Sequence, residues 1–152
     1  VQLKRFQRCW CLQRGIEIVR WTFDPLRHVN ANLNVCRLGV EIATYYPDYY
    51  GVMKGINAGL ASDRLLAEWK LNDPTVIRLA ADEVLGVSNS ARPAEGTTVS
   101  IPKDIDHLIK NDLNAAIEAR LRVRTELMRG FDQKLVIRAY DAAHSQYHLS
   151  PR

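Results

Sequence analysis

The chain has 152 residues, of which 47% are hydrophobic and 25% are charged, values typical of a folded globular domain. This composition excludes a collagen-like, low-complexity or disordered protein, and no apolar run approaches the roughly 20 residues of a membrane-spanning helix. The formal net charge is +4, and residues 1–20, with five basic side chains and one acidic side chain, carry all of it. Such a local excess suits a phosphate or an anionic cofactor better than a long nucleic-acid track, although a solvated helix face remains the alternative.

The three cysteines and four histidines show no metal-ligand spacing. Cys9 and Cys11 would lie about 200° apart on a helix, so they cannot share a metal ion there. We therefore expect reduced thiols, no metal site and a cytoplasmic protein. The sequence begins with Val1 rather than with an initiator Met, and no signal-peptide pattern follows it. We therefore expect further residues upstream.

The first elements predicted are a helix and a buried strand. Leu3, Phe6 and Trp10 recur at helical spacing, which predicts a helix over 2–14 with these three side chains as its buried stripe. Gly15 follows as a natural stop. Residues 16–23 have apolar side chains at both even- and odd-numbered positions, which point to opposite faces of a strand. This is the pattern of a central strand buried on two faces.

Residues 28–73 continue the alternation of helix and strand. We predict a helix over 28–38, a strand over 41–46, a glycine- and tyrosine-containing loop over 47–62, and a cleanly alternating strand over 63–71. The run Asn72-Asp73-Pro74 then ends this part of the chain.

The second half of the chain reads differently. Residues 75–85 fit a strand or a short helix equally well, and 87–98 have loop composition. A short helix is predicted around Ile105, Leu108 and Ile109, and a longer one that ends at Gly130. The stripe of the longer helix consists of Leu113, Ile117, Leu121 and Met128. Segments 135–140 and 146–149 predict a terminal hairpin.

The order of elements predicts an α/β fold in two parts. Residues 1–73 are expected to form the second half of a larger mixed sheet domain, because helix 2–14 has no strand before it and the strands are few. Residues 74–152 are expected to form a mainly helical extension that ends in the hairpin. A half-sheet of this kind favours association into a homo-oligomer.

Several short motifs together carry a family resemblance. They are Leu3-Lys4 with Gln7-Arg8, Arg14-Gly15-Ile16, the run WTFDPL at 21–26, Asn30-Ala31, Asn34, Leu38-Gly39 and the YYG at 49–51. With these motifs, residues 1–71 resemble the GCN5-related N-acetyltransferase superfamily, and most closely a branch of predicted acetyltransferases. The segment GLASDRLLAEWKL resembles the final strand of that branch. The IPKDID motif and the helix with Arg120 and Arg124 resemble its C-terminal extension less specifically.

The resemblance implies acetyl-CoA, or another acyl-CoA, as the cofactor. In this superfamily a mixed sheet splays open between its fourth and fifth strands, and the pantetheine arm lies in the opening. Strand 16–23 would be the fifth strand, and helix 2–14 would follow a glycine-rich pyrophosphate loop located upstream of Val1. The implied cofactor contacts are Val1, Gln2, Lys4, Arg5, Thr22, Phe23, Asn30 and Asn32. Surface solubility for the two cations and helix capping for the asparagines are the alternatives.

The implied chemistry is direct attack of a neutral amine on the thioester, without a metal. Many members place a Tyr four residues before the helix-ending Gly as general acid for the thiolate, whereas this chain has Val35 there. The phenols that remain as general-acid candidates are Tyr45, Tyr46, Tyr49 and Tyr50, with aromatic packing as the alternative. The spacing of the carboxylates selects no general base.

Three functional hypotheses follow. The first is an acetyl-CoA-dependent N-acyltransferase acting on a small-molecule or protein amine, with this chain as a part that is inactive without the pyrophosphate loop. The second is a non-catalytic acyl-CoA-binding or scaffolding member of the same fold, which the Val35 departure favours. The third is a binder of nucleic acid or an acidic partner that uses Lys4, Arg5, Arg8 and Arg14, and the balanced charge of residues 21–152 makes nucleic acid the weakest of these.

Overall fold

The structure is a computed structural model that describes residues 2–51, 59–85 and 96–152, with the backbone alone for 82–85. The helices are α1 (Gln2–Leu12), α2 (His28–Ala31), α3 (Pro74–Leu85), α4 (Ile105–Asn111) and α5 (Leu113–Asp132), and a π-helical segment (Asn32–Arg37) continues α2. The strands are β1 (Ile18–Phe23), β2 (Tyr45–Tyr46), β3 (Arg64–Lys70), β4 (Thr97–Ser100), β5 (Leu135–Asp141) and β6 (Gln146–Pro151).

The strands form two small antiparallel sheets, which confirms a mixed α/β fold. One sheet has the order β1-β3-β2 and the other the order β4-β6-β5. Two adjacent residues join them: Glu41 exchanges both backbone hydrogen bonds with Glu68 of β3, and Ile42 does the same with Ile137 of β5. Residues 41–42 therefore lie between the sheets and connect their hydrogen-bonded networks.

Strand β3 matches its predicted alternation. Leu65, Ala67 and Trp69 are buried, whereas the residues between them are half-buried. This strand is central in its sheet because β1 pairs with one edge and β2 with the other. Alternation of this kind is what a sheet with one face on the core imposes on its residues.

Helix α1 exists as predicted, but the predicted orientation is wrong. Leu3, Phe6 and Trp10 are 80%, 67% and 43% exposed. The opposite face meets the rest of the molecule instead, with Cys11 buried and Arg8 half-buried. Periodicity locates a stripe but does not say which face is covered, and the long stems of basic side chains can pack while their charged ends reach polar partners.

The prediction that strand 16–23 is central and buried on two faces is also wrong in this structure. Strand β1 is an edge strand among the described residues, and Ile16 and Ile18 are 38% and 42% exposed. Only Phe23, at its end, is fully buried. The cause is that the outer edge of β1 pairs with no strand in the described part of the chain.

The predicted helix over 28–38 is confirmed, with two differences. Its last six residues are π-helical, a geometry that sequence periodicity does not reveal. Val29 is 74% exposed although it shares the apolar i, i+4, i+7 spacing of Leu33 and Cys36. The expected strand over 41–46 reduces to the isolated bridges of 41–42 and the short β2. Of the predicted loop 47–62, residues 52–58 lie outside the described residues.

In the second half of the chain, the structure decides between the strand and the helix predicted for residues 75–85, and it contains an additional strand. Residues 75–85 are helical, within α3, and 97–100 form β4, whose first two residues belong to the predicted loop 87–98. Residues 87–95 of that loop lie outside the described residues. The terminal hairpin is confirmed as β5 and β6. Helix α5 exists, but its predicted stripe is wrong: Leu113, Leu121 and Met128 are exposed. The buried residues of α5 are Ala116, Arg120, Val123, Leu127 and Gly130, so this helix continues through the predicted stop.

Candidate functional site

An aromatic box holds the ammonium group of Lys4 against the first sheet. Trp21 of β1 and Trp69 of β3 meet edge to face, with their ring centroids 6.0 Å apart. Lys4 Nζ lies 3.8 Å from the centroid of the Trp21 ring and 5.6 Å from that of Trp69, which is cation–π geometry. It also donates to Gln7 Oε1 at 3.1 Å.

Hydrogen bonds to the π-helical region fix both indoles of this box. Trp21 Nε1 donates to Oδ1 of the buried Asn34 at 3.2 Å, and Trp69 Nε1 donates to the Leu38 carbonyl at 2.9 Å. Burial lowers the pKa of Lys4, an effect that the nearby Cys11 opposes. The box therefore holds an amine that gives up its proton more readily than a solvated lysine does.

The helix that begins at His28 follows β1 in the chain after a short turn, and one edge of β1 pairs with no strand among the described residues. On β1, Thr22 is half-buried and Phe23 is buried. Asn30 and Asn32 lie inside the helical segment rather than at its N-cap, which is Arg27 and has no side-chain cap bond. Capping is therefore not their role. Neither asparagine side chain has a hydrogen bond among the described residues, so both amides remain available.

The remaining predicted cofactor contacts divide as follows. Gln2 is the exposed first residue of α1, and Val1 lies outside the described residues. Arg5 donates from Nη2 to the Ala80 carbonyl of α3 at 3.2 Å. The structure thus brings Lys4 onto the sheet, but it does not group all the predicted contacts at one place.

Three of the four predicted tyrosines form a cluster at the end of β2. The rings of Tyr46 and Tyr49 lie 5.3 Å apart, and those of Tyr49 and Tyr50 lie 4.8 Å apart. The Arg64 guanidinium lies 5.0 Å from the Tyr50 ring. Tyr49 and Tyr50 are about half exposed, so their phenols reach solvent.

Tyr45 is separate from that cluster and points inward. Its hydroxyl donates to Asp63 Oδ2 at 2.6 Å. Burial and the adjacent Asp63 carboxylate raise the pKa of Tyr45 far above its usual value. Asp63 also receives the Asp48 backbone N–H and two N–H groups of Arg124, at 2.8 and 2.6 Å.

A second carboxylate, Asp24, anchors the WTFDPL segment. Its Oδ1 accepts from the Leu26 backbone N–H at 2.9 Å, as expected for a turn. Both of its oxygens also accept from Arg120 at 2.8 Å, and that arginine is 2% exposed. Asp24 and Asp63 therefore tie the first sheet to α5. Sequence reasoning missed this role because Arg120 reads as one of several charges on a helix surface.

A half-buried histidine joins the helix at His28 to the terminal hairpin. Its Nδ1 lies 2.9 Å from the Tyr140 hydroxyl and 3.4 Å from Ser145 Oγ. Ser145 has φ 56° at the hairpin turn and is 2% exposed. The Ser145 hydroxyl is too deeply buried for a substrate to reach. We therefore interpret the contacts among these three residues as structural, because they fasten the hairpin to the helix.

A small pocket with basic walls lies between α1, α3 and the end of the π-helical segment. Three arginines line it, Arg5, Arg8 and Arg37, around an apolar floor of Leu38, Trp69, Val76 and Ala80. Its volume is about 10 Å³, roughly the space of one water molecule. Trp69 connects this pocket to the aromatic box, because one face of its indole lies near Lys4.

Comparisons with models of protein families, with curated proteins and with solved structures found no match to this chain. Among the described residues, no helix has the length and apolarity to cross a membrane. Within those same residues, no three His, Cys, Asp or Glu side chains group in a way that would hold a metal ion.

Proposed function

We propose that this chain is the C-terminal part of an acetyl-CoA-dependent N-acyltransferase with a GCN5-related fold. The observation that carries the proposal is the edge of β1 that pairs with no strand in the described part of the chain. In the family that the WTFDPL motif resembles, the corresponding strand lines the opening for the pantetheine arm. The proposed division, with 1–73 as part of the acyl-CoA domain and 74–152 as its extension, follows the same resemblance.

The residues at this edge fit an extended amide-containing ligand. A strand edge without a partner presents backbone N–H and C=O groups at regular spacing, and pantetheine carries two amide groups in a linear chain. The side-chain amides of Asn30 and Asn32 are unused within the described part of the chain. The bound cofactor would supply the activated acyl group, and the chain would orient it through these amides.

An acyltransferase of this kind also needs a proton donor for the thiolate and a neutral amine. Tyr49 and Tyr50 present solvent-accessible phenols, which suits them better to the first role than Tyr45, whose proton is held by Asp63. We assign the general acid to this exposed pair. The acceptor is an amine of a small molecule or a protein, and we expect the reaction in the cytoplasm.

The second candidate function is acyl-CoA binding without catalysis. It is favoured by Val35, which is 3% exposed and apolar where many members of the family place the acidic Tyr. Such a protein would keep the opening beside β1 as a ligand site or a scaffold. It would bind acyl-CoA and release no CoA with any amine.

The test is thiol release from acetyl-CoA by the protein that contains this chain and the segment preceding it, with a panel of amines. The proposal expects turnover with at least one amine, and a loss of kcat in Tyr49→Phe or Tyr50→Phe. Binding measured by calorimetry without turnover selects the non-catalytic alternative. The absence of both binding and turnover would overturn both candidate functions. Tight acetyl-CoA binding by residues 1–152 alone would contradict the need for the preceding segment.

A further inference from the structure

The basic pocket between α1 and α3 has the composition of an anion site, and none of its lining residues belongs to β1. We propose that it binds the phosphate group of a small soluble ligand. The proposal goes beyond the acyltransferase function and does not depend on it.

Arg37 provides the first support. It is the last residue of the π-helical segment, it is exposed, and its side chain has no hydrogen bond or ion pair within the described residues. Most other described arginines have a carboxylate partner, among them Arg20, Arg27, Arg64, Arg120, Arg122, Arg124, Arg138 and Arg152. The positive charge of Arg37 at the pocket wall is therefore left for a ligand to neutralise.

Arg8 provides the second support. Its Nε donates to the Leu71 carbonyl at 2.9 Å, a bond that fixes the plane of the guanidinium at the pocket. A guanidinium has five N–H groups, so others remain after this bond. An arginine held in one orientation is suited to phosphate, because its parallel N–H groups match two phosphate oxygens.

The size and lining of the pocket define the ligand class. Its described lining consists of arginines and apolar side chains, without a carboxylate. A volume of about 10 Å³ holds about one water molecule, so a phosphate sits at the mouth between the guanidinium groups. The remainder of the ligand then stays in solvent, which favours recognition of the phosphate itself over any particular attached group.

The experiment is calorimetric titration of residues 1–152 with inorganic phosphate and with pyrophosphate, at two salt concentrations. We expect one site, weakened by salt, with Arg37→Ala raising Kd about tenfold through the loss of a charge-assisted contact. The matched control is Arg129→Ala, because Arg129 is also an exposed arginine in the last turn of a helix. It should leave Kd unchanged.

A second variant tests the oriented arginine without removing charge. Arg8→Lys keeps a cation but loses the planar fork, and we expect it to weaken pyrophosphate binding several-fold while thermal unfolding shows an intact fold. Co-sedimentation with phosphatidylcholine vesicles containing phosphatidic acid separates a soluble ligand from a lipid headgroup. Four outcomes would each overturn the proposal. They are the absence of phosphate and pyrophosphate binding, a Kd of Arg37→Ala equal to that of the wild type, a loss of affinity in Arg129→Ala equal to that in Arg37→Ala, and binding to vesicles alone.

Discussion

Two carboxylates, the buried Asp63 and the half-buried Asp24, join the first sheet to the long helix. Asp63 is fully buried, and its partners come from three places: Tyr45 of β2, the Asp48 backbone and Arg124 of α5. Burial by itself raises the pKa of Asp63, but the hydrogen bonds from these partners outweigh it and hold that pKa below its usual value. A charge this well enclosed is tolerated only while its partners remain.

Asp63→Asn should therefore lower the free energy of unfolding by about 3 kcal/mol, because Arg124 is left with an uncompensated charge beside a buried amide. Urea denaturation followed by circular dichroism measures the change. Asp106→Asn is the matched control, since Asp106 pairs with Arg27 at a partly exposed position, where an ion pair contributes about 1 kcal/mol or less. Equal losses in the two variants would contradict the role assigned to Asp63.

At the level of elements, α1 is the clearest case in which the apolar stripe and the buried face differ. Its basic side chains reach partners on the molecule: Lys4 lies on Trp21, Arg5 bonds Ala80 and Arg8 bonds Leu71. Its apolar face is directed to solvent. An exposed stripe of this kind is typical of a surface that another element covers.

Truncation of the stripe provides a direct test of this orientation. Phe6→Ala should change the free energy of unfolding by less than about 0.5 kcal/mol, because Phe6 is 67% exposed. Phe23→Ala is the comparison, since Phe23 is 5% exposed and loss of a buried Phe costs about 3–5 kcal/mol. If Phe6→Ala destabilised this chain as much as Phe23→Ala, the orientation of α1 would be wrong.

The packing of α3 on the end of the π-helical segment depends on Gly39. This residue has φ +69°, and a Cβ there would lie 2.9 Å from Leu79 Cδ1. Gly39→Ala should destabilise the chain by about 2 kcal/mol, from backbone strain and from this contact together. Gly15→Ala isolates the strain, because Gly15 has φ +70° and open space around it, and it should cost about 1 kcal/mol. Equal losses of stability in the two variants, measured by thermal unfolding, would show that the Leu79 side chain moves aside without a cost in free energy.

The sequence predicts the elements better than it predicts their environment. β3 is recovered because its alternation and its burial coincide, and the helix of 28–38 because its apolar spacing is regular. The exposure of Leu3 and Ile18 is not predictable, since periodicity carries no information about which face another element covers. At the site, the turn formed by Asp24 follows from Asp-Pro, whereas its pairing with Arg120 depends on a contact 96 residues away.

For the molecule as a whole, the carboxylate of Glu41 lies where the two sheets meet. It is 7% exposed and accepts hydrogen bonds from Lys70 of β3, Arg138 of β5 and the terminal Arg152. Burial favours its protonated form, but these three cations together lower the pKa of Glu41 to about 2. One carboxylate thus compensates cations from both sheets.

The depressed pKa makes stability depend on pH in a defined window. The stabilisation is complete above the unfolded-state pKa near 4.5 and is lost as the pH falls towards 2, by as much as about 3 kcal/mol. Unfolding free energies measured between pH 2 and pH 6 should show this loss in the wild type and a flatter profile in Glu41→Gln. Glu126→Gln, which removes an exposed helical pair with Arg122, should retain the wild-type profile.

The two-residue connection at 41–42 has a consequence for how the molecule opens. Four backbone hydrogen bonds there, two to Glu68 and two to Ile137, bridge the sheets. Amide protons on both sides should therefore exchange with deuterium as one cooperative unit rather than sheet by sheet. The Ile42 and Ile137 amides are the reporters: their protection at the same level as that of β3 marks a single folding unit, in which opening of either sheet releases the other.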